Sequence, residues 1–374
     1  MSRSELHVAL CTDGVFPHAI GGMQRHSRLL AEHLAKREGI RLTVVHPHTM
    51  PVFEPGLGID EVHVAPIDTG RFYLRELWRY SGRVGAELDR VRPDVILSQG
   101  FCVWQGIDRF SDRLIVHPHG LEMFQGISRK EILFGTPFRA ALRHIVRRAA
   151  VAISLGGRLT PTLQRLVDGS RCRVVVVPNA VEMPSGSIPY PQARIPVRLL
   201  FVGRFAFNKG LDVLLAVARR LEKEGRTGDV RFVLAGDGPL LEGMKQEGLP
   251  ANVELPGRVD DAQLSKLYAE CHALLLPTRF EGMPTVVLEA MAHARPVIVS
   301  DVGATAELVD ERNGYLLPKG DADALHKAVL DFTQRDTTDR AFLGSTSRDR
   351  VLDGFTWPKV TDRFLAVFRS LAER

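Results

Sequence analysis

Two cations and two carboxylates in the second half of the sequence could bind a sugar joined to a diphosphate. Arg204 and Lys209 follow one apolar run, and Glu281 and Glu289 follow another. Arginine and lysine neutralise phosphate charge, whereas carboxylates accept hydrogen bonds from the vicinal hydroxyls of a sugar or a ribose. Cations held at a diphosphate also stabilise the charge that develops when a glycosidic bond breaks. This combination predicts a nucleotide-sugar site.

The segment between the two carboxylates predicts a helix whose first amides face a phosphate. Pro284 fits the first turn of a helix, where its missing N–H is not needed. The amides near Gly282, Met283 and Thr285 would then point out of the helix start, and such an end binds anions. Glu289 would lie about 8 Å along the axis, beside the ribose of the same ligand.

Glycine-rich turns at other predicted strand ends extend the candidate site. Gly203 precedes the first cation, and Gly236 and Gly238 form a turn after another apolar run. Glycine lets the backbone come close to a ligand. A tight turn from strand to helix explains Gly236 and Gly238 nearly as well. Arg258, which follows a further strand, could stack on a base.

The first half of the sequence contributes three candidates. Gly21 and Gly22 precede a helical pattern, and their amides could face a phosphate, although a simple turn is an equal alternative. His119 lies in the segment His-Pro-His-Gly immediately after the apolar run 114–116. Ligands bind at the carboxyl ends of strands in α/β sheets, so we expect His119 to face the site.

Both halves of the chain have the sequence pattern of an α/β fold with a parallel sheet. Short β-branched apolar runs alternate with segments of helical periodicity, and 374 residues are about twice the usual length of one domain. The predicted strands are 6–11, 41–46, 95–98, 114–117, 151–154 and 173–177, then 197–202, 230–235, 253–255, 273–276 and 297–300.

A proline-rich stretch at 182–196 separates the halves, because proline lacks the amide hydrogen that helices and central strands need. The predicted domains are therefore 1–185 and 193–356.

Composition limits the partners and the location. The 49 basic and 44 acidic side chains give a net charge of +5, which suits anionic ligands without the charge density of a nucleic-acid-binding protein. The four cysteines are widely spaced in apolar stretches, which predicts buried thiols and no metal site. The first residues lack the features of a signal peptide, and no apolar run approaches the roughly 20 residues that span a bilayer. We therefore expect a cytoplasmic protein.

Arginines recur at every fourth residue in two places and would form a basic stripe on each of two helices. The two sets are Arg71, Arg75, Arg79 and Arg83, then Arg139, Arg143 and Arg147. Aromatic residues beside the first set favour peripheral contact with anionic lipid on the inner face of a membrane. A phosphorylated or acidic saccharide is a second possible partner, and a solvated charged face is an equal alternative.

In their order and spacing, these motifs resemble the retaining glycosyltransferases of family 4. The motifs are Val177–Val181, Gly203–Arg204, Lys209–Gly210, Gly236–Pro239, Glu281 and Glu289. The ordered set extends over nearly the whole chain and is more specific than any one motif. The resemblance implies a GT-B architecture, in which two Rossmann-like domains face each other across an interdomain cleft.

The resemblance also implies roles for the candidates. It assigns Arg204 and Lys209 to the donor diphosphate, Glu281 to the hydroxyls of the donor sugar and Glu289 to the ribose. It places His119 near the transferred sugar.

By the same resemblance, the Gly22 amide lies beside the phosphates, and a final helix over 357–374 crosses back to the first domain. Two positions differ from the family pattern: Pro284 and Ala180 stand where glycine is common. The proline removes one amide donor, so phosphate contacts must fall on its neighbours.

The implied activity is that of a hexosyltransferase of EC class 2.4 acting in polysaccharide or lipopolysaccharide biosynthesis. A sugar would pass from a UDP-sugar, or second a GDP-sugar, to a saccharide, lipid-linked or small-molecule acceptor. Front-face displacement would retain the anomeric configuration without a bound metal.

Two alternatives keep the same nucleotide site: a non-hydrolysing sugar-nucleotide epimerase and a non-catalytic sugar-nucleotide-binding protein. A nicotinamide dehydrogenase is disfavoured, because no Gly-x-Gly-x-x-Gly follows the first strand with an acidic residue at the expected distance.

Overall fold

The computed structural model describes residues 5–19, 21–68, 70, 72–124, 133–186 and 188–373. The chain divides into two compact units. Unit 1 comprises Met1–Asn179 and Trp357–Arg374, and unit 2 comprises Ala180–Thr356. The division between the units thus falls just before the proline-rich stretch, and the final helix belongs to the first unit.

Unit 1 is built on a parallel sheet. Its strands are β1 (Leu6–Cys11), β2 (Ile40–His46), β3 (Ile59–His63), β4 (Val95–Gln99), β5 (Leu114–His117), β6 (Val151–Ser154) and β7 (Arg173–Val176). Within the described residues they form one seven-stranded sheet in the order β3-β2-β1-β4-β5-β6-β7. Strands β4, β5 and β6 are buried along their whole length, as continuous apolar runs predict for a parallel sheet covered on both faces.

Helices cover this sheet. They are α1 (Gly22–Ala35), α2 (Tyr73–Val91), α3 (Thr136–Arg148), α4 (Leu159–Val167) and the C-terminal helix (Trp357–Ala372), with 3-10 turns at Ile107–Arg109, Ser111–Arg113 and Glu122–Phe124. The six predicted strands of the first half are all present, and their ends differ from the prediction by one residue or none. Strand β3 was not predicted.

The C-terminal helix completes the core of unit 1 through Trp357. The indole lies 5.4 Å from the His26 ring and stacks on the His33 ring at 5.2 Å, measured between centroids. About two turns further along the same face of the helix, the Phe364 ring lies 6.2 Å from the ring of His117. Burial lowers the pKa of His26 to about 4, so this imidazole is neutral at pH 7.

Unit 2 repeats the architecture. Its strands are β8 (Val197–Val202), β9 (Val230–Ala235), β10 (Val253–Gly257), β11 (Ala273–Leu276), β12 (Val297–Ser300) and β13 (Gly314–Leu317). In the part of unit 2 that is described, these form a six-stranded parallel sheet in the order β10-β9-β8-β11-β12-β13. Its helices are α5 (Leu211–Lys223), α6 (Leu241–Gln246), α7 (Asp261–Glu270), α8 (Thr285–Ala292), α9 (Thr305–Leu308), α10 (Ala322–Gln334) and α11 (Thr337–Gly354), with a 3-10 turn at Phe207–Lys209.

Part of the proline-rich stretch is bound to unit 2. The Tyr190 hydroxyl donates to the His272 carbonyl at 2.7 Å, and Arg295 Nη2 donates to the Pro189 carbonyl at 2.9 Å. Tyr190 is itself buried. The part of the stretch around Pro189 and Tyr190 therefore packs as part of unit 2.

The α/β prediction is confirmed, with a parallel sheet in each unit. All four cysteines are free thiols in buried positions. Over the described ranges, no helix combines the length and the apolar character needed to cross a membrane.

Candidate functional site

Three candidate residues of unit 2 lie on loops that start where the strand order of its sheet reverses. From β8 the chain builds outward to β9 and β10 on one side, whereas β11 starts the other side with β12 and β13. Loops that leave the carboxyl ends of neighbouring strands at such a point diverge and leave room for a ligand. The loop after β8 carries Arg204 and Lys209, and the loop after β11 carries Glu281.

Lys209 and Glu281 form an ion pair. Lys209 Nζ donates to Glu281 Oε1 at 2.6 Å across 72 positions of sequence, and the Thr278 hydroxyl donates to the same oxygen at 3.1 Å. The side chains are 23% and 12% exposed, respectively. Partial shielding from water strengthens their attraction. A cation therefore lies beside a carboxylate that could accept hydrogen bonds from sugar hydroxyls.

Arg279 fastens the two loops that carry this pair. Its Nη1 and Nη2 donate to the two carboxylate oxygens of Asp212 at 2.7 and 2.6 Å, and Nη1 also donates to the Phe207 carbonyl at 2.7 Å. The guanidinium lies 4.1 Å from the centre of the Phe207 ring, a cation–π contact. Burial acts to raise the pKa of Asp212, but the hydrogen bonds and charge of Arg279 outweigh it, so this pKa is lowered.

Backbone contacts bring the same loops still closer. The Arg279 amide donates to the Asn208 carbonyl at 2.7 Å. Gly210 has φ 71°, and a Cβ on it would lie 1.9 Å from the Pro277 carbonyl oxygen. Only glycine permits both that conformation and that approach. Lys209 therefore lies in a loop whose position is fixed by the Arg279 contacts and by Gly210. Any other residue at position 210 would require a shift of the backbone.

Two of the candidate cations remain accessible, and the first is Arg204. It is exposed directly after β8, and within the described part of the chain its guanidinium makes no hydrogen bond or ion pair. Arg258 is likewise exposed, directly after β10. Both side chains are available to an anionic ligand.

Backbone packing accounts for the glycines after β9. A Cβ on Gly236 would lie 1.9 Å from the Gly203 carbonyl oxygen, and one on Gly238 would lie 2.5 Å from that of Phe205. These glycines let the β9 loop pack against the β8 loop. A contact from Gly203, Gly236 or Gly238 to a nucleotide stays a prediction.

Helix α8 begins one residue later than predicted. It starts at Thr285, and Pro284 is the N-cap residue (φ −71°, ψ 117°) instead of a member of the first turn. No described side chain caps this end, so its first amides can meet an anion. Met283 is buried in the core, and the Gly282 carbonyl accepts from the Ala304 amide at 2.9 Å.

Glu289 lies one turn into α8 and is half-buried. The hydroxyl of Tyr268, from α7, donates to Glu289 Oε2 at 2.8 Å. Tyr268 was not among the predicted site residues, because its apolar surroundings are typical of a core tyrosine. The available signal was that a buried tyrosine hydroxyl needs a hydrogen-bond partner.

The candidates of the first half all lie in unit 1. Gly21 and Gly22 are exposed, and α1 begins at Gly22, one residue before the helical pattern in the sequence, with Gly21 as its N-cap residue. His119 follows β5 with φ 56°, and its amide donates to His117 Nδ1 at 3.1 Å. Their position relative to a donor in unit 2 stays a prediction.

Gln99 orients the imidazole of His119. His119 Nε2 lies 2.5 Å from Gln99 Oε1, so a neutral imidazole donates its Nε2 proton to this amide oxygen. Burial lowers the pKa of His119, and the charges of His117 and His26 act in the same direction. Gln99, which is buried, was not among the predicted site residues, although a polar residue directly after the predicted strand 95–98 was a usable signal.

In the described ranges, no group of three or more histidine, cysteine, aspartate or glutamate side chains is placed to hold a metal ion.

Two family models match the chain. The model "Glycosyltransferase Family 4" matches residues 20–183, and the model "Glycosyl transferases group 1" matches residues 196–335. A curated relative, named as the colanic acid biosynthesis glycosyltransferase WcaL of Escherichia coli K12, is 26% identical over 265 residues. That match covers 68% of this chain and 63% of the relative, so the chain spans less than two thirds of that protein.

Solved structures share the fold over the whole chain. Sucrose-phosphate synthase from Thermosynechococcus elongatus superposes with a TM-score of 0.82 at 22% identity, covering 98% of this chain and 99% of the other. HepE of Anabaena, solved with UDP and glucose, has a TM-score of 0.67 at 17% identity and covers 97% and 99%. At these identities the likeness concerns the fold alone.

Replacing Arg279 should weaken diphosphate binding through Lys209. We expect Arg279→Gln to lower the affinity for UDP, used as a diphosphate probe, by about tenfold, or ~1.4 kcal/mol. Arg279→Lys should fall between, because lysine keeps the charge without the bidentate geometry. Isothermal titration calorimetry measures both.

The reference variant is Arg219→Gln, because Arg219 pairs with Glu247 at 3.3 Å on the surface of unit 2. In a Lys209→Met background, Arg279→Gln should cause little further loss. Full additivity of the two losses, or wild-type affinity in Arg279→Gln, would show that Arg279 does not act through Lys209.

Proposed function

We propose that this chain, which belongs to glycosyltransferase family 4 and has the GT-B fold, is a glycosyltransferase whose unit 2 binds a nucleotide-sugar donor around Lys209 and Glu281. The observation that supports this proposal most is the 2.6 Å contact between these two side chains where the strand order reverses. A phosphate needs a cation and a sugar hydroxyl needs an acceptor, and here the two lie together.

The proposed donor binding uses four side chains of unit 2. Lys209 and Arg204 contact the diphosphate, and Lys209 has N–H donors beyond the one that meets Glu281. Glu281 accepts hydrogen bonds from the donor sugar, and Glu289 accepts them from the ribose while Tyr268 holds its other side. The first amides of α8 add donors to the diphosphate.

The proposed transfer proceeds on one face of the sugar. The bond between the anomeric carbon and the phosphate oxygen breaks, and its electron pair stays on the leaving diphosphate. The acceptor oxygen bonds to the anomeric carbon on the same face, and its proton passes to the leaving phosphate oxygen. Lys209 and Arg204 stabilise the developing charge, and no side chain is assigned as a general base.

UDP is the first nucleotide to test and GDP the second. The solved structure of HepE contains UDP and glucose, which supports UDP to the extent that a shared fold can. The name of the relative WcaL suggests an acceptor in polysaccharide biosynthesis, where a saccharide or lipid-linked acceptor would occur. His119 would lie beside the transferred sugar, with its tautomer fixed by Gln99.

Transfer is proposed to need no metal, because Lys209, Arg204 and the start of α8 supply positive charge to the diphosphate.

Incubation with a donor in the absence of acceptor tests this function. We expect slow release of nucleoside diphosphate from one of the UDP-, GDP- or ADP-sugars. The release should survive EDTA and fall roughly 100-fold in Lys209→Met, because one preorganised contact to the leaving group is lost. Chromatography of the nucleotides measures both.

Lys245→Met is the matched lysine variant, since Lys245 is exposed and pairs with Glu242 at 3.1 Å. Its release rate should equal that of the wild type. A new sugar nucleotide in place of the diphosphate would mean epimerisation, and no reaction with any donor or acceptor would mean a binding protein.

Peripheral contact with the inner face of a membrane is also proposed, through α2. Its N-cap residue Phe72 and its Trp78 are 63% and 42% exposed, and the Arg75 guanidinium lies 4.8 Å from the Phe72 ring centre. Two of the arginines are partly neutralised, because Arg75 and Arg79 approach Glu76 at 3.5 and 2.8 Å.

The other arginines of this set contribute less to the proposed contact. Arg83 donates to the carbonyls of Ala65 and Pro66. Arg71 lies outside the described residues.

Sedimentation with vesicles containing phosphatidylglycerol tests the α2 contact. The double variant Arg75→Glu and Arg79→Glu should leave more protein in the supernatant, because its charges repel an anionic surface. Arg90→Glu lies on the same helix but near its other end, where Arg90 pairs with Glu87, and should pellet as the wild type does. Equal pelleting of all three proteins would refute the contact.

A further inference from the structure

A hollow of about 570 Å³ runs along α3 in unit 1. Phe124, at the end of the 3-10 turn that follows β5, and Leu166, near the end of α4, form its apolar walls. Arg139, Arg143, His144 and Arg147 of α3 also line it. We call this feature the α3 hollow.

The α3 hollow is strongly positive. Its arginines recur at every fourth residue, so their Cα atoms extend over about 12 Å of the helix at 1.5 Å per residue. Among the described residues that line it, none is an aspartate or a glutamate. Like charges at this spacing repel one another, and a bound anion would relieve that repulsion.

Two of the three arginines, Arg143 and Arg147, have no carboxylate partner among the described residues. Arg147 Nη1 donates to the main-chain carbonyls of Leu166 and Asp168, so it meets no carboxylate there. Arg143 is exposed, and across the described ranges its side chain has no hydrogen bond or ion pair. The arginines of α2 differ, because Arg75 and Arg79 lie against a glutamate.

We propose that the α3 hollow binds an acidic oligosaccharide segment of the acceptor. A row of cations suits charges spread along a chain, whereas a single phosphate would require donors that converge on one point. Phe124 and Leu166 give the hollow apolar surface on which sugar rings can pack.

The position of the hollow connects it with transfer. Phe124 follows His119 by five residues (124 − 119) in the segment that leaves β5. An acceptor whose reacting end lies near His119 could therefore extend along α3. This inference rests on the proposed transfer and specifies its acceptor as anionic.

A short oligogalacturonate, with a neutral maltooligosaccharide of equal length, tests the hollow directly. We expect calorimetry on the full chain to detect the charged oligomer and not the neutral one, with affinity that falls as salt is added. Arg143→Gln should weaken binding about 5- to 10-fold, the size expected for one charge-assisted contact, and Arg143→Lys should largely retain it.

Arg148→Gln is the matched variant, because it removes the same charge from the same helix outside the hollow, where Arg148 pairs with Asp108 at 3.1 Å. It should bind the oligomer nearly as the wild type does. Equal loss in Arg143→Gln and Arg148→Gln, equal binding of the neutral oligomer, or no binding at all would overturn the inference. Vesicle pelleting that depends on Arg143 without oligogalacturonate binding would also overturn it, in favour of a lipid surface.

These measurements need no donor, so they separate the hollow from the transfer reaction. If the chain binds the charged oligomer but releases no nucleoside diphosphate, the anion site in the α3 hollow is supported and the proposed transfer activity is refuted. If the chain turns over donor but does not bind the oligomer, the proposed transfer activity is supported and the anion site in the α3 hollow is refuted.

Discussion

The ion pair between Lys209 and Glu281 is the interaction on which the candidate site depends. Two largely buried charges are stable together only if their mutual attraction and hydrogen bonds offset the loss of hydration, and the Thr278 hydroxyl adds a hydrogen bond to the carboxylate. Arg279, in the loop after β11, then fixes the two loops relative to each other by donating to the Asp212 carboxylate and to the Phe207 carbonyl. The sheet therefore brings the two loops to the same edge, and the side-chain contacts fix the distance between Lys209 and Glu281.

This arrangement places opposing charges where a diphosphate would bind. In the proposed site, Lys209 would attract the diphosphate, whereas Glu281 would repel it and would be compensated only if sugar hydroxyls reached its oxygens. A complete nucleotide sugar satisfies both groups, but a free nucleotide satisfies only the lysine. The same pair could thus favour the donor over its spent product, which is useful to an enzyme that must release that product.

The sequence predicted the buried framework and less of its edges. Strands such as β4 and β8 were found because burial on both faces gives continuous apolar runs, whereas β3 and β13 were missed because each is an outermost, half-exposed strand. Lys209 and Glu281 could be placed at strand ends. The Arg279 contact with Asp212 could not be predicted, because it joins residues 67 positions apart through side-chain geometry alone.

Titration of UDP into the wild type and into Glu281→Gln is the most direct test of whether Lys209 and Glu281 serve one diphosphate site. If both residues serve one diphosphate site, removing the carboxylate charge should tighten UDP binding about threefold or more, because repulsion is lost and Lys209 is released. Unchanged or weaker UDP binding in Glu281→Gln would contradict the account.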